Sequence, residues 1–337
     1  MRSLLQGVPA CYTEGDLDCT VTHLTDDSRR VVPGSLFLAC EPSRERSSAF
    51  LHESVAAGAC AVLAERPPVG PVGVPWARVP GLEAVKAGLA ARFYSYPDRA
   101  MSLIGVLGSE RRAPVSDLVH YLLNDASSPT GLINHRGVDT GKDLFKSDLV
   151  TPGPVDLYGW LQAMDHLKRD NVVLEISTQG LIERRVQSLG FHALVFTDHR
   201  FDPAISRPLW PAVLEAKYQA FLEGGDLGRP DIAVINRNDP VSPRLIARMP
   251  LDVDVVTYGT GKDAHVRASE IRPHPKGWQF TLTWGHGRVR CLYPVPGKRH
   301  RVIEALAALA TVIALEQDPY RAASRLTAYR DLSALPL

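Results

Sequence analysis

Short apolar runs alternate with segments of helical spacing through most of this chain, and that alternation narrows the possible folds more than any other feature. The runs lie at residues 103–107, 172–176, 193–197 and 232–236, and helical patterns fall between them at 115–123, 155–167 and 211–222. A strand apolar along its whole length is covered on both faces, and parallel neighbours need a crossover that is usually a helix. The pattern predicts a mostly parallel sheet flanked by helices. After Val255 the period changes to two. Residues 279–284, a Gly-His-Gly turn and residues 288–293 predict an antiparallel hairpin on that sheet, followed by a closing helix at 301–315.

The first hundred residues carry a smaller version of the same alternation. Residues 35–39 read as a buried strand after a Pro-Gly turn. Residues 50–58 read as a helix stopped by Gly58, residues 59–63 as a second strand and residues 67–75 as a Pro/Gly-rich loop. Residues 82–94 read as a helix with Val85, Leu89 and Phe93 on one face. Residues 95–99 form a plausible linker. At 337 residues the chain exceeds the ~250–300 that one core supports, so two α/β domains are expected, 1–98 and 99–337.

Charge excludes more than it suggests. Lys and Arg outnumber Asp and Glu by one, 38 to 37, so no overall field recommends nucleic acid as a partner. No stretch reaches the ~18–20 apolar residues of a membrane span, and the opening apolar run is too short for a signal peptide. The five cysteines, Cys11, Cys19, Cys40, Cys60 and Cys291, have no metal-ligand spacing and fit reduced thiols of a cytoplasmic protein.

Five segments, in order, resemble the Mur ligases of the MurE type, which join an amino acid to a UDP-linked muramyl peptide. DSRRVVPGSLFLA at 27–39 resembles the family's DSR…PG.LF.A signature. AARFYSYPDRAMSLIGV at 90–106 resembles the approach to its ATP loop. EISTQGL at 175–181, with Arg185-Val186, resembles EVSSH.L…RV. Glu215-Ala-Lys-Tyr218 resembles the segment whose lysine is carbamylated, and VINRND at 234–239 stands where the family has VxN.DD. The resemblance runs from about residue 20 to about residue 315. It implies a small N-terminal UDP-binding-type domain and a central P-loop-like domain.

The ATP loop is where the chain departs from that family. A Walker-type loop needs glycines for close backbone approach to phosphate, a lysine for its charge and a Ser or Thr hydroxyl for Mg²⁺. The family's GVTGTNGKTT is here GVLGSERRAP at 105–114. Gly105 and Gly108 remain. Arg111 stands at the last glycine, Arg112 at the lysine and Ala113 at the Mg²⁺-binding threonine, while Pro114 suits a first helical turn. Such a loop still makes a strand-to-helix turn but no longer an ATP cradle. Two arginines beside a helix N-terminus could still hold an anion without a metal.

The resemblance also assigns residual catalytic positions. Glu175 matches a metal-binding glutamate and Lys217 the carbamylated lysine, two oxygen-type ligands suited to Mg²⁺. Asp198-His199, in a run extending to Asp202, stands near the family's DH pair, which makes His199 a third metal candidate. Gln179 replaces the family's histidine. For substrate, Ser28 matches a position near uridine; Thr151, Ser177 and Arg185 match positions that hold the muramyl diphosphate, and Arg with two hydroxyls is a sensible diphosphate clamp. An acidic glycine turn of the family is replaced by Arg46-Ser-Ser-Ala49.

Family members carry a third, Rossmann-like domain that binds the incoming amino acid. Residues 316–337 cannot form one, so the acceptor domain is expected to be absent. The leading expectation is therefore a non-catalytic MurE-like protein with no cofactor. It would bind a UDP-muramyl peptide or related nucleotide sugar, or cell-wall synthesis proteins, in a regulatory or scaffolding role. The alternative is an active ATP- and Mg²⁺-dependent ligase working with an acceptor domain in trans. A protein-interaction module without a small ligand is a third reading.

Overall fold

A computed structural model gives the architecture and describes residues 1–41, 43–200, 205–224 and 228–330. The chain divides into two compact units. One comprises Met1–Pro97 with Pro154–Gly159, and the other Asp98–Gly153 with the chain from Trp160 onward.

In the first unit, β1 (Tyr12–Glu14), β2 (His23–Thr25), β3 (Ser35–Ala39), β4 (Ala59–Ala64) and β5 (Trp76–Arg78) form a sheet of order β1-β5-β4-β3-β2. All its pairs are parallel except β1–β5. Leu36, Leu38, Val62 and Leu63 are buried in β3 and β4, as continuous apolar strands require. Helix α1 (Arg44–Ala56) follows β3 and α2 (Leu82–Phe93) follows β5. The sequence pattern placed the first helix at 50–58, but it begins six residues earlier. Ser43 caps it, its Oγ accepting from Arg46 N at 3.4 Å, and Arg46-Ser-Ser-Ala49 lacks a glycine to break the first turns. The expected linker is a tight turn, with Ser95 and Tyr96 both at positive φ, 63° and 55°.

The second unit is built on β6 (Ser102–Leu107), α3 (Arg112–Leu123), β7 (Thr130–Asn134), β8 (Gly137–Asp139) and β9 (Leu144–Phe145). It continues with α4 (Pro154–His166), whose residues up to Gly159 count with the first unit, β10 (Asn171–Ile176), α5 (Thr178–Ile182), β11 (Ala193–Phe196), α6 (Trp210–Leu222), β12 (Ile232–Asn236) and α7 (Ser242–Arg248). It closes with β13 (Asp254–Gly259), β14 (Val266–His274), β15 (Gly277–Trp284), β16 (Gly287–Tyr293), α8 (Arg301–Ala314) and α9 (Pro319–Ala328). Among the described residues its sheet has the order β16-β15-β14-β13-β12-β11-β6-β10-β7-β8-β9. The centre, β7 to β13, is parallel. The expected hairpin is present and widens to three antiparallel strands, β14–β15–β16.

Side chains alternate across each strand, so Ile104, Val106, Val173 and Val195 face one side and pack with Val115, Leu118 and Val119 of α3. Helix α8 lies on the same core, with Ala305, Ala307, Ala308 and Ala310 fully buried. Its small side chains let it approach closely. Residues 316–330 add α9, which carries Leu326 and Tyr329 into that core. No helix of the described residues is long and apolar enough to cross a membrane.

Candidate functional site

Strand β6 lies between β10 and β11. The chain leaves β6 toward β7 on one side and later crosses to β11 on the other. In open α/β sheets such a reversal leaves a crevice beyond the carboxyl ends of the strands, where ligands bind. Residues 108–111 form the loop at that point, from the end of β6 to the first residue of α3, Arg112. Gly105 sits within β6 and not in the loop. Gly108 is required by its neighbours, since a Cβ there would lie 1.9 Å from Thr197 Oγ1 and 2.9 Å from Asp198 Oδ1.

Two of the loop's amides, those of Ser109 and Arg111, already face a carboxylate. Ser109 N donates to Asp198 Oδ1 at 2.9 Å, Arg111 N approaches the same oxygen at 3.5 Å, and Thr197 Oγ1 donates to it at 3.0 Å. Asp198 is fully buried. A strand-to-helix loop offers converging N–H groups to an anion; here a side-chain carboxylate of this chain fills that position. Asp198 Oδ2 has no hydrogen-bond partner among the described residues, and Arg200 Nε approaches it at 3.6 Å.

Arg112 turns away from the loop's mouth to Glu175 at the end of β10, with Nε to Oε1 at 3.0 Å. Its Nη1 also donates to the Ser109 carbonyl and approaches that of Gly108 at 3.5 Å. The other Glu175 oxygen accepts from His135 N at 3.0 Å and meets His135 Nδ1 at 2.9 Å. Glu175 is only 1% exposed, so this pairing compensates an otherwise costly buried charge. The hydrogen bond to Glu175 holds the His135 pKa above its usual value, against an opposing effect of burial. Among the described residues the Arg111 guanidinium forms no hydrogen bond or ion pair.

The residues that the sequence resemblance assigns to Mg²⁺ and ATP have partners within the chain. Both Glu175 oxygens are taken by donors, Ala113 has no side-chain oxygen, and the Ser109 and Arg111 amides face Asp198. Among the described residues no group of three or more His, Cys, Asp or Glu side chains is placed to hold a metal ion.

Lys217, from α6, is fully buried and donates to Ser109 Oγ at 3.0 Å. Ser109 Oγ in turn donates to the Arg200 carbonyl at 2.9 Å and accepts from Arg200 N at 3.0 Å. His199 stacks on Trp210 with ring centroids 4.5 Å apart, and its backbone N–H donates to Asp239 Oδ2 at 3.0 Å. Burial, then the Lys217 charge, push the His199 pKa down to about 4, so its ring is neutral near pH 7. The three expected metal ligands, Glu175, Lys217 and His199, thus have separate partners around one loop. The Phe201–Asp202 part of the run that suggested His199 lies outside the described residues.

Thr151, Ser177 and Arg185 do come together. Thr151 Oγ1 donates to the Glu175 carbonyl at 3.0 Å and accepts from Ser177 N at 2.9 Å. Ser177 Oγ caps α5 by accepting from Gly180 N at 3.0 Å, and Arg185 Nη1 donates to the Thr151 carbonyl at 2.8 Å. Gly180 has no room for a side chain, since a Cβ would lie 2.9 Å from Thr151 Cβ. In the first unit, Ser28 Oγ donates to Glu53 Oε2 at 2.8 Å. Asp198 as the loop's anion, Ser109 as the partner of Lys217 and His135 as a partner of Glu175 were not read from the sequence. Their one signal is position, since each lies just past the carboxyl end of a central strand.

A parallel sheet with a strand–loop–helix turn at its switch point places the chain in the class of P-loop-like α/β proteins. Within that class it belongs to the Mur ligase family, because the Mur ligase middle domain matches residues 108–312. The chain is 31% identical over 316 residues to a UDP-N-acetylmuramoyl-L-alanyl-D-glutamate–2,6-diaminopimelate ligase of Chlamydia pneumoniae, covering 93% of this chain and 63% of that one. The ligase of the same name from Pseudomonas aeruginosa is 31% identical over 308 residues, covering 90% of this chain and 62% of that one. The chain therefore spans less than two-thirds of the length of these relatives. Among solved structures, one of a ligase of that name superposes with a TM-score of 0.77 at 20% identity, over 94% of this chain and 65% of that one. MurF from Acinetobacter baumannii gives 0.72 at 17% identity, over 98% and 68%. At these identities the structures speak for the fold.

Proposed function

We propose that this chain is a non-catalytic, MurE-type relative of the Mur ligases that works in the cytoplasm beside peptidoglycan precursor synthesis. In this reading it binds a UDP-muramyl peptide, or a closely related nucleotide sugar, in a regulatory or scaffolding role. The observation that carries it is the self-occupied loop. Asp198 sits on the amides that would face a phosphate, and Arg112 sits on the carboxylate that would face a metal. Displacing both by ATP and Mg²⁺ would strip the buried Asp198 Oδ1 and both Glu175 oxygens of donors they now have.

The Thr151–Ser177–Arg185 group supports retention of a ligand for the diphosphate. An arginine and two hydroxyls held in one hydrogen-bonded unit make charge-assisted contacts to phosphate oxygens without a metal. Ser28, by the sequence resemblance, is a separate candidate for contact with uridine. No nucleic-acid partner is part of this reading. The runner-up, an active ligase using an acceptor domain in trans, draws on Lys217 and Glu175, both buried and both tied to the loop through Ser109 and Arg112. Calorimetric titration with UDP-N-acetylmuramoyl-dipeptide tests the proposal. Saturable binding without ATP, lost in Arg185→Ala, is the expected result; silence with the intact chain overturns it.

A further inference from the structure

The face of the large sheet opposite α3 holds an apolar cavity of about 460 Å³, away from the loop and its ion pairs. Its floor is formed by Ile176, Phe191 and Leu194. These side chains sit low because Gly105 beneath them has none; a Cβ there would lie 2.4 Å from Leu194 Cδ2 and 2.8 Å from both Ile176 Cδ1 and Phe191 Cε1. Helix α6 turns Ala212, Ala216 and Ala220 toward the cavity, one per turn, and these methyl groups leave the space open. Leu181 and Val186 form the facing wall. The volume falls in the ~300–1,000 Å³ range of small-molecule sites, whose walls are mostly apolar with a few placed polar groups.

Four polar side chains line this cavity, Arg184, Gln187, Gln219 and Glu223, and the two charged ones carry opposite signs. Gln219 lies on α6, Glu223 caps that helix four residues later, and Arg184 comes from the segment after α5. The Gln219 amide has a fixed orientation, because Nε2 donates to Glu215 Oε1 at 2.8 Å and Arg248 Nη2 holds that same oxygen at 3.0 Å. A flip would set carbonyl against carboxylate. Gln219 Oε1 is therefore left buried without a donor, a rare state for a native acceptor. Arg184 stands at φ 55°, the left-handed region that non-glycine residues seldom adopt. Its neighbours Glu183 and Arg185 pair with one another, and the Arg184 guanidinium forms no hydrogen bond or ion pair with any described residue.

We propose that this cavity binds a small zwitterion with an apolar side chain, of the free α-amino-acid class. The apolar side chain rests on Ile176, Phe191 and Leu194, the carboxylate meets Arg184, and the ammonium group donates to Gln219 Oε1 beside Glu223. No bond is made or broken, and the proposal does not depend on the state of the nucleotide loop.

Calorimetric titration of the full chain with L-leucine and L-phenylalanine tests it, with glycine and isocaproate as controls. Glycine lacks the apolar side chain and isocaproate lacks the ammonium group. Saturable binding of leucine or phenylalanine is expected, weaker by about tenfold or more for either control. Gln219→Leu is expected to weaken it about tenfold by removing the acceptor. Ala216→Phe fills the cavity and is expected to abolish binding. Arg184→Gly is the safeguard against misfolding, because glycine suits φ 55° and the variant is expected to unfold no earlier than the parent while losing about tenfold in affinity. Absence of saturable heat up to about 10 mM overturns the proposal. So does undiminished binding in Ala216→Phe, or isocaproate binding as well as leucine.

Discussion

Replacing Arg112 by Met tests whether the loop is held shut from within. The substitution keeps the length of the stem and removes the one cation that, among the described residues, pairs with Glu175 Oε1, while the other oxygen keeps both His135 donors. Breaking a buried ion pair by removing one partner costs ~3–5 kcal/mol. Two features reduce that figure: the Arg112 side chain is 19% exposed, and Glu175 is not left wholly without donors. A loss of about 2–3 kcal/mol is the resulting expectation. For a domain of this size that lowers the unfolding midpoint by roughly 4–12 °C. Scanning calorimetry reads it, with the transition of the second unit assigned by the fluorescence of its tryptophans, which include Trp210 near Lys217. The decisive quantity is the coupling in a double-mutant cycle with Glu175→Gln, which removes the charge that Arg112 neutralises. The double variant is expected to regain more than half of the loss, a coupling of about 2 kcal/mol. A coupling below about 0.5 kcal/mol would mean that Arg112 is solvated and the loop is open, and the reasoning fails.

Further consequences follow from the same geometry. Asp198→Ala uncovers the Ser109 and Arg111 amides; it is expected to cost about 1–3 kcal/mol and to make the midpoint rise with added inorganic phosphate, whereas the parent protein shows no such rise. An equal phosphate response in both would show that Asp198 does not occupy the loop. Gly108→Ala drives a methyl group into Thr197 Oγ1 and Asp198 and is expected to destabilise the second unit by about 1–3 kcal/mol, read by urea unfolding. His120, half-buried with Nε2 at 3.1 Å from the Thr130 carbonyl, has a pKa lowered chiefly by desolvation. The unfolded chain therefore binds a proton near pH 6.5 that the folded chain refuses, so stability is full above about pH 6.5 and falls as the pH drops below it. Unfolding curves from pH 8 to pH 5 check this, and His120→Gln is expected to flatten the acid decline.

The fold was legible where periodicity was strong. Residues 103–107, 172–176, 193–197 and 232–236 are strands in the central parallel sheet, because a strand covered on both faces leaves a continuous apolar run. In the second unit β7, β8, β9, β13 and β14 were not seen; β8 and β9 are short, and β7 ends in polar Asn134, followed by the His135 that pairs with Glu175. Helix α1 was misplaced at its start because a cap is set by one side chain, Ser43, and not by the apolar pattern. The site was legible only as departures from a known loop. Sequence shows that Arg112 is not lysine and that Ala113 has no oxygen. It does not show that Arg112 reaches across 63 positions to Glu175, or that Asp198 folds 89 positions back onto Ser109. Such partners depend on which strands lie side by side, and β6 meets β10 and β11 only after two crossovers.

The most direct test of the self-occupied loop is titration of the full chain with ATP and Mg²⁺, by calorimetry and by an assay for released phosphate. The loop as described predicts no saturable heat up to about 1 mM and no phosphate release, with or without UDP-N-acetylmuramoyl-dipeptide. Micromolar binding with phosphate release would contradict it and restore the reading of an active ligase.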